Sequence, residues 1–134
     1  MAESSFELKI ITPERVFFEG MVDMLEMNTT EGEIGILPGH IPMTVIIKPG
    51  VATIYETNGE TKEAAIHAGF VEILQDKVTV LAEIAEWPNE IDEARAEAAL
   101  ERAEERIQSK AANIDMARAE AAMLRALARI NVLH

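Results

Sequence analysis

The chain has 134 residues, no cysteine and a formal net charge of −12. This length suits one compact head with an appendage, and the lack of cysteine excludes disulfides and thiolate metal ligands. The acidic balance opposes binding to nucleic acid and to anionic lipid through long-range repulsion, although an acidic surface can also serve solubility alone.

The N-terminal sequence MAESSFELK lacks a basic start and an apolar run. No stretch of the chain approaches the roughly 18 apolar residues that a membrane-spanning helix needs. We therefore expect a soluble, unprocessed chain without direct membrane insertion, which can still sit on a membrane-bound assembly.

From Ser5 to about Glu83, short apolar or alternating runs are separated by turn residues, a pattern typical of antiparallel strands. Asn58-Gly59 between two such runs favours a two-residue hairpin. So many short strands predict an all-β sandwich or flattened barrel over residues 1–86. The candidate strands are 6–11, 16–18, 22–27, 43–47, 51–55, 61–67, 70–74 and 78–82.

The segment 31–42 is unusually rich in glycine and proline, with three and two of them respectively. This composition predicts a tightly shaped loop between strands. It does not match a phosphate-binding loop of the Walker type, because the required lysine and hydroxyl residue are missing and no helix follows.

After Trp87-Pro88 the composition changes to alanine, glutamate and arginine, without glycine or proline, which predicts helix to the end. Asn89 or Asp92 can cap a first helix, and Asn113 or Asp115 a second, with a break near 110–113. So short a connection predicts an antiparallel α-helical hairpin over residues 87–134, closely packed where alanine lines the seam.

The two predicted helices repeat one another at a spacing of 23 residues, with 12 of 17 positions identical from Ile91 to Ile107. Duplication of one helix explains this, and chance similarity of alanine-rich helices is the alternative. Helical spacing places three arginines of each helix on one stripe. These are Arg95, Arg102 and Arg106 in the first helix and Arg118, Arg125 and Arg129 in the second.

Like charges four residues apart repel, so each stripe predicts an anionic counterpart. One candidate is the acidic set of the first helix, Glu97, Glu101, Glu104 and Glu105. The other is a bound phosphate chain, which arginine engages through two parallel hydrogen bonds. Spacing alone leaves both open.

Other chemistry has little support in the sequence. The histidines His40, His67 and His134 lack metal-ligand spacing, and no nucleophile turn or acid pair is present. We therefore expect a protein without catalytic activity. The methionines and Trp87 suit packing and interfaces.

Three segments together resemble the epsilon subunit family of bacterial F-type ATP synthases. They are Gly-Glu-Ile-Gly-Ile-Leu-Pro-Gly-His at 32–40, Gly-Phe-Val-Glu-Ile at 69–73 and Ile-Asp-Glu-Ala-Arg-Ala at 91–96. The resemblance runs over essentially the whole length, and the order of head and hairpin matches.

This resemblance implies a ten-stranded head bound to the gamma subunit and the c-ring, in the rotor of the proton-translocating enzyme. Glu33, Gly39 and His40 would lie near those contacts. The hairpin would either fold on the head or extend along gamma into the alpha/beta hexamer and inhibit ATP hydrolysis. The location would be peripheral, at the cytoplasmic face of the cell membrane.

The motif at 91–96 also resembles an ATP-binding motif of some family members. The implied ligand is regulatory ATP, to which magnesium can be added, and no cofactor is required. By matching position the ATP contacts are Glu86, Ile91, Asp92, Arg95 and Ala96, with Arg102, Arg125 and Arg129 for the phosphates. Glu86 and Asp92 suit adenine amine or ribose groups on charge grounds.

The residues alone leave two alternatives. One is a β-sandwich adaptor with a helical, partner-binding tail and no nucleotide site. The other is a small phosphohydrolase, which would show turnover.

Overall fold

The computed structural model describes residues 4–109 and 115–134. Within them seven strands precede a short 3-10 helix and two α-helices. The strands are β1 (Phe6–Ile11), β2 (Val16–Thr29), β3 (Gly32–Ile36), β4 (Met43–Ile46), β5 (Gly50–Glu56), β6 (Thr61–Ile73) and β7 (Lys77–Glu86). The 3-10 helix is Pro88–Glu90, and the α-helices are α1 (Glu93–Ser109) and α2 (Met116–Leu133).

The strands form one sheet that returns on itself. Its order is β1-β7-β6-β5-β2-β3, with β4 paired to β6 and β1 also paired to β2. Closure occurs at Val22, which faces Phe6 of β1 and Glu56 of β5. Alternate side chains such as Leu8 and Ile54 point into the enclosed apolar core. The predicted fold class, a sandwich-like all-β head followed by a helical hairpin, is confirmed.

The number of strands differs both from the eight candidate segments and from the ten strands that the resemblance implied. The predicted pairs of strands at 16–18 and 22–27, and at 61–67 and 70–74, are single strands β2 and β6. Most residues between them keep their ladder partners, as Gly20 does opposite Leu8 and Gly69 opposite Ala82. The described residues therefore form seven strands, which differ from the eight candidate segments and are fewer than the ten strands that the resemblance implied.

The segment 31–42 is not a loop throughout, which corrects the prediction for its first part. Gly32–Ile36 is strand β3, paired with β2. It forms because Ile34 and Ile36 alternate with Glu33 and Gly35, so one face packs against the core.

The hairpin predicted at Asn58-Gly59 joins β5 to β6, but its loop has three residues, 57–59. The amide of Glu56 donates to the carbonyl of Glu60 at 2.9 Å, and the amide of Gly59 donates to the carbonyl of Glu56 at 3.1 Å. Gly59 has a φ of +89°. A three-residue hairpin loop needs this left-handed residue at its end, so the predicted two-residue loop was wrong.

Both α-helices begin at an aspartate. Asp92 Oδ1 accepts from the amide of Arg95 at 3.1 Å, and Asp115 Oδ1 accepts from the amide of Arg118 at 3.1 Å. Asn89 lies inside the preceding 3-10 helix instead. Asn113 and the predicted break at 110–113 lie outside the described residues.

The helices pack through the small side chains predicted for their seam. Buried alanines are Ala96 and Ala103 in α1, and Ala119 and Ala126 in α2 among others. They occupy equivalent positions of the 23-residue repeat. His134, after the end of α2, contacts the Glu93 carboxylate at the start of α1, so the helices are antiparallel.

The hairpin is docked on the head. Helix α1 packs on α2, and α2 packs on β5 and β6. In β6, four consecutive residues from Ala64 to His67 are buried. Ala64 and Ile66 belong to the core, so Ala65 and His67 face the opposite side, where α2 covers them. No helix of the described residues is long and apolar enough to cross a bilayer.

Substitution of Gly69 by alanine should strongly destabilise the head. A Cβ there would lie 2.0 Å from the carbonyl oxygen of Leu81, and φ is +126°. We expect a loss of about 3 kcal/mol or more in the free energy of unfolding, measured by urea denaturation. Gly59→Ala is the control, because nothing lies within 4 Å of its Cβ position. It should cost about 1 to 2 kcal/mol. Equal losses would contradict this explanation.

Candidate functional site

A cavity of about 370 Å³ opens where the end of β7 and the linker, residues 87–92, meet the two helices. Its size lies within the usual range of small-molecule sites, roughly 300–1,000 Å³. Its walls carry carboxylates and guanidinium groups together. The lining residues are Glu86, Glu90, Ile91, Asp92, Arg95, Ala96, Ala99, Arg102 and Arg129.

Seven of the eight predicted ATP contacts line this cavity. Arg125, the eighth, lies in the described helix α2 but does not line it. Two lining residues were missed, Glu90 and Ala99. Ala99 lies four residues after Arg95, so helical spacing could have found it. The signal for Glu90 was its position three residues after Trp87, where a carboxylate can reach back to the backbone amide.

The linker that forms one wall is fixed to the head. The Trp87 ring stacks on Phe17, with ring centroids 4.1 Å apart and planes 15° apart. Arg15 Nη2 donates to both oxygens of Glu90, at 2.7 and 2.9 Å. The amide of Trp87 donates to Glu90 Oε1 at 2.9 Å. The hydrogen bond from Arg15, followed by that from Trp87, lowers the pKa of Glu90. The carboxylate of Glu90 is therefore held in a fixed position at the wall of the cavity.

Glu86, the last residue of β7, connects the head to α2. Its Oε1 accepts from Arg129 Nε at 2.7 Å and from His67 Nε2 at 3.2 Å. Burial acts to raise the pKa of Glu86, but the hydrogen bonds from His67 and Arg129 together outweigh it and lower the pKa below its ordinary value. Glu86 is therefore a carboxylate at neutral pH.

Three of the six arginines of the two stripes line the cavity. Arg95 and Arg102 line it from α1, and Arg129 lines it from α2. Within residues 4–109 and 115–134, no arginine forms a salt bridge with Glu97, Glu101, Glu104 or Glu105, so the structure does not support that alternative there. The carboxylate that Arg129 meets is Glu86. Arg95 and Arg102 remain available to an anion in the cavity.

Metal binding has no support from the described residues, which contain no group of three or more histidine or carboxylate side chains placed to hold an ion. The expected accompaniment of ATP by magnesium stays a prediction.

The predicted partner-binding residues lie apart from the cavity. Glu33 lines a groove with Leu124 and Asn131 of α2. The amide of Gly39 donates to the carbonyl of Gln75 at 3.1 Å, in the turn between β6 and β7. His40 Nδ1 donates to the carbonyl of Ile41 at 2.8 Å. These contacts shape the segment without joining the three residues into one site.

An apolar row crosses the outer face of the head. Cross-strand registers align Val16 with Ile11, Ile11 with Leu81, Leu81 with Phe70, and Phe70 with Ile46. Directly opposed side chains share a sheet face. Ile46, Val16, Phe70 and Leu81 are 60%, 52%, 40% and 37% exposed. Such a contiguous apolar row is typical of an interaction surface.

The chain matches known protein families over nearly its whole length, with the head and the hairpin matched separately. Residues 5–88 match the β-sandwich domain of the ATP synthase delta/epsilon chain, and residues 89–134 match its long α-helix domain. The chain belongs to the ATP synthase delta/epsilon chain family. The resemblance seen in the sequence is therefore confirmed.

Two curated members of this family illustrate the similarity. An ATP synthase epsilon chain of Caldanaerobacter subterraneus subsp. tengcongensis is 47% identical over 108 residues, which cover 81% of this chain and 78% of the relative. An ATP synthase epsilon chain of Brevibacillus brevis is 46% identical over 129 residues, which cover 96% of this chain and 98% of the relative.

Solved structures share the delta/epsilon fold at lower identity. A chain of the Euglena gracilis mitochondrial ATP synthase (OSCP/F1/c-ring) has a TM-score of 0.87 and 23% identity, covering 100% of this chain and 84% of that chain. A chain of the Tetrahymena thermophila mitochondrial ATP synthase central stalk and c-ring has a TM-score of 0.64 and 14% identity, covering 100% of both.

The lowered pKa of Glu86 predicts that acid weakens docking of the hairpin. Its stabilising contribution is fully present above the ordinary value of 4.5 and is lost as the pH falls through the lowered value. Because the chain lacks cysteine, dyes can be attached through Asp76→Cys and Glu120→Cys, both at exposed positions. Energy transfer between the dyes should report less docking below about pH 4.5.

Glu86→Gln is the matched control for this titration. The variant should dock less at neutral pH, by about 1 kcal/mol for a partly exposed charged hydrogen bond. It should also lose the part of the acid response that is due to Glu86, while Glu90 still titrates in both proteins. Identical acid responses of the two proteins would show that Glu86 does not govern docking.

Proposed function

We propose that the chain is a non-catalytic central-stalk subunit in the rotor of a proton-translocating F-type ATP synthase, and that its hairpin is an ATP-sensitive inhibitor of ATP hydrolysis. The observation that carries the nucleotide part is the cavity between the linker and the two docked helices. Its three arginines and three carboxylates suit a ligand with both a phosphate chain and hydrogen-bond donors.

The charges of the cavity suggest the orientation of ATP. Arg95 and Arg102, seven residues apart on α1, can engage phosphate oxygens through paired N–H donors. Glu86 and Glu90 are acceptors with lowered pKa, so they suit the adenine amine or ribose hydroxyls and would repel phosphate. Asp92 can join them while its Oδ1 caps α1.

A ligand held in this cavity favours the docked hairpin. The cavity wall includes Arg129 of α2 as well as the linker and α1, so ATP contacts all three only when α2 is docked. A ligand at 100 times its dissociation constant stabilises the state that binds it by about 2.7 kcal/mol. Because the docked helices bury mainly alanine, docked and extended states can differ by only a few kcal/mol. ATP would then release inhibition by retaining the hairpin on the head.

The head supplies the surfaces for rotor partners. The apolar row from Val16 to Ile46 suits the gamma subunit, and the segment with Gly39 and His40 suits the c-ring, with Glu33 at the edge beneath α2. Family membership supports this assignment. In such an assembly the chain would lie peripherally at the cytoplasmic face of the bacterial membrane, with the extended hairpin reaching the alpha/beta hexamer.

Calorimetric titration of ATP into the full chain tests the nucleotide site. We expect one site, and Arg95→Ala should weaken it about tenfold or more, which corresponds to about 1.4 kcal/mol. Arg106→Ala is the matched control, because Arg106 lies on the same helix but does not line the cavity.

Absence of heat, or equal affinities of the two arginine variants, would leave the adaptor without a nucleotide site as the better hypothesis. Release of phosphate by the purified chain would favour the phosphohydrolase instead. We expect no release over hours.

Phe70→Ala should weaken binding to a complex of gamma subunit and c-ring. Phe70, on β6, is the aromatic residue of the apolar row and lies between Leu81 and Ile46, and truncation of such an aromatic side chain costs about 2 kcal/mol, or roughly 30-fold in affinity. Surface-immobilised complex and purified chain would give the dissociation constant. Met116→Ala, an exposed apolar residue at the start of α2, is the control. An unchanged affinity for Phe70→Ala would remove the row from the interface.

A further inference from the structure

His67 is a buried polar residue whose position packing alone does not explain. It lies on β6 beneath α2 and is 1% exposed. Its Nδ1 has no hydrogen-bond partner among the described residues. An unpaired buried nitrogen destabilises a fold, so an apolar side chain of similar size would serve packing better. The single polar contact of the ring is therefore informative.

That contact is with Glu86 at the wall of the cavity. The carboxylate can only accept, so His67 Nε2 donates to Oε1, at 3.2 Å. Arg129 Nε donates to the same oxygen from the opposite element, at 2.7 Å. Glu86 is thus held by one donor from the head and one from the tail.

The two donors differ in whether they stay beside Glu86 when the hairpin leaves the head. Arg129 belongs to α2, so it leaves when the hairpin undocks, and its guanidinium can also turn toward an anion in the cavity. His67 belongs to the head, so it stays beside Glu86 when the hairpin undocks and also when Arg129 turns toward an anion. Without it, a free Glu86 side chain would sample several rotamers and lose its fixed direction toward the cavity.

We propose that His67 is a positioning residue that holds the Glu86 carboxylate in place for both a nucleoside triphosphate and Arg129, and so sets ATP affinity and hairpin docking together. This rests on the proposed ATP site. When the phosphates attract Arg129, the vacated lone pair of Glu86 accepts from the adenine amine or a ribose hydroxyl. The hydrogen bond from His67 keeps the Glu86 carboxylate directed toward the cavity while its other partner changes.

Two substitutions of His67 separate positioning from packing. His67→Gln keeps an N–H donor at about the position of Nε2, whereas His67→Leu fills similar space without a donor. A packing role predicts that leucine is tolerated better than glutamine. Positioning predicts the reverse order. The glutamine variant should bind ATP within about threefold of the unmodified chain, and the leucine variant should bind about tenfold more weakly or worse.

ATP affinity is measured by calorimetry on the full chain, and docking without ATP by the dye pair at positions 76 and 120. The proposal is overturned if the leucine variant matches the unmodified chain in both, or if the two variants lose affinity equally while their thermal midpoints are unchanged. If the leucine variant fails to fold, comparison of His67→Gln with His67→Asn decides, because asparagine is too short to reach Glu86.

A double-mutant cycle gives a further check. In the Glu86→Gln background, His67→Leu should cause little additional loss of ATP affinity, since its partner is already altered. An undiminished effect would overturn the proposal. If the unmodified chain binds no ATP, the proposed nucleotide function fails, and the dye pair alone then tests His67: a docked fraction lower in the leucine than in the glutamine variant supports positioning, and equal fractions overturn it.

Discussion

The hydrogen bonds at the Glu86 carboxylate are the constraint on which the arrangement of head and hairpin depends. They join the end of β7 to α2 through Arg129, and to β6 through His67. Helix α1 adds little independent attachment, because it packs mainly on α2 and buries only alanines in its described length. Among the described residues, the tail is joined to the head by one ion pair, Arg129 with Glu86, and by a modest apolar area. In the proposed function, such a limited attachment is what would let one small ligand at the junction shift the position of the hairpin.

Much of the fold follows from the sequence, and the errors have physical causes. Alternation located β1, β4 and β5 to within one residue at either end, since each has one face on the core, whereas the prediction for β7 stopped at residue 82 and the strand continues to Glu86. Glycine is a poor guide to strand boundaries in this chain. Gly32 and Gly35 suggested a loop where β3 pairs, whereas Gly20 and Gly69, at the predicted breaks of β2 and β6, lie within paired strands. At Gly69 the cause is tertiary: the backbone passes so close to the Leu81 carbonyl that no side chain fits, and nothing local to the sequence reveals this.

The candidate site was predictable to the extent that it is local. The segment from Ile91 to Ala96 forms one wall, so its motif and helical spacing suffice. Glu86 and Arg129, 43 residues apart, came from family likeness, because their contact depends on how α2 docks. Glu90 was missed because Arg15, 75 residues away, holds its carboxylate. Arg125 also came from family likeness, and it shares the stripe, but sharing a helix face does not ensure that a side chain reaches a cavity at one end of the hairpin.

The 23-residue repeat explains why two arginine stripes serve only one site. Arg95 and Arg118 are equivalent, as are Arg106 and Arg129. In an antiparallel pair, equivalent positions lie at opposite ends, so the start of α1 meets the end of α2, as the contact of Glu93 with His134 shows. Arg95 and Arg129 therefore gather at the end beside the linker, and Arg106 and Arg118 lie toward the other end. Within residues 4–109 and 115–134, the first end is the one that meets the carboxylates of the head and linker. The repeat thus places cations at both ends, and the contact of Arg129 with Glu86 distinguishes the end that lines the cavity.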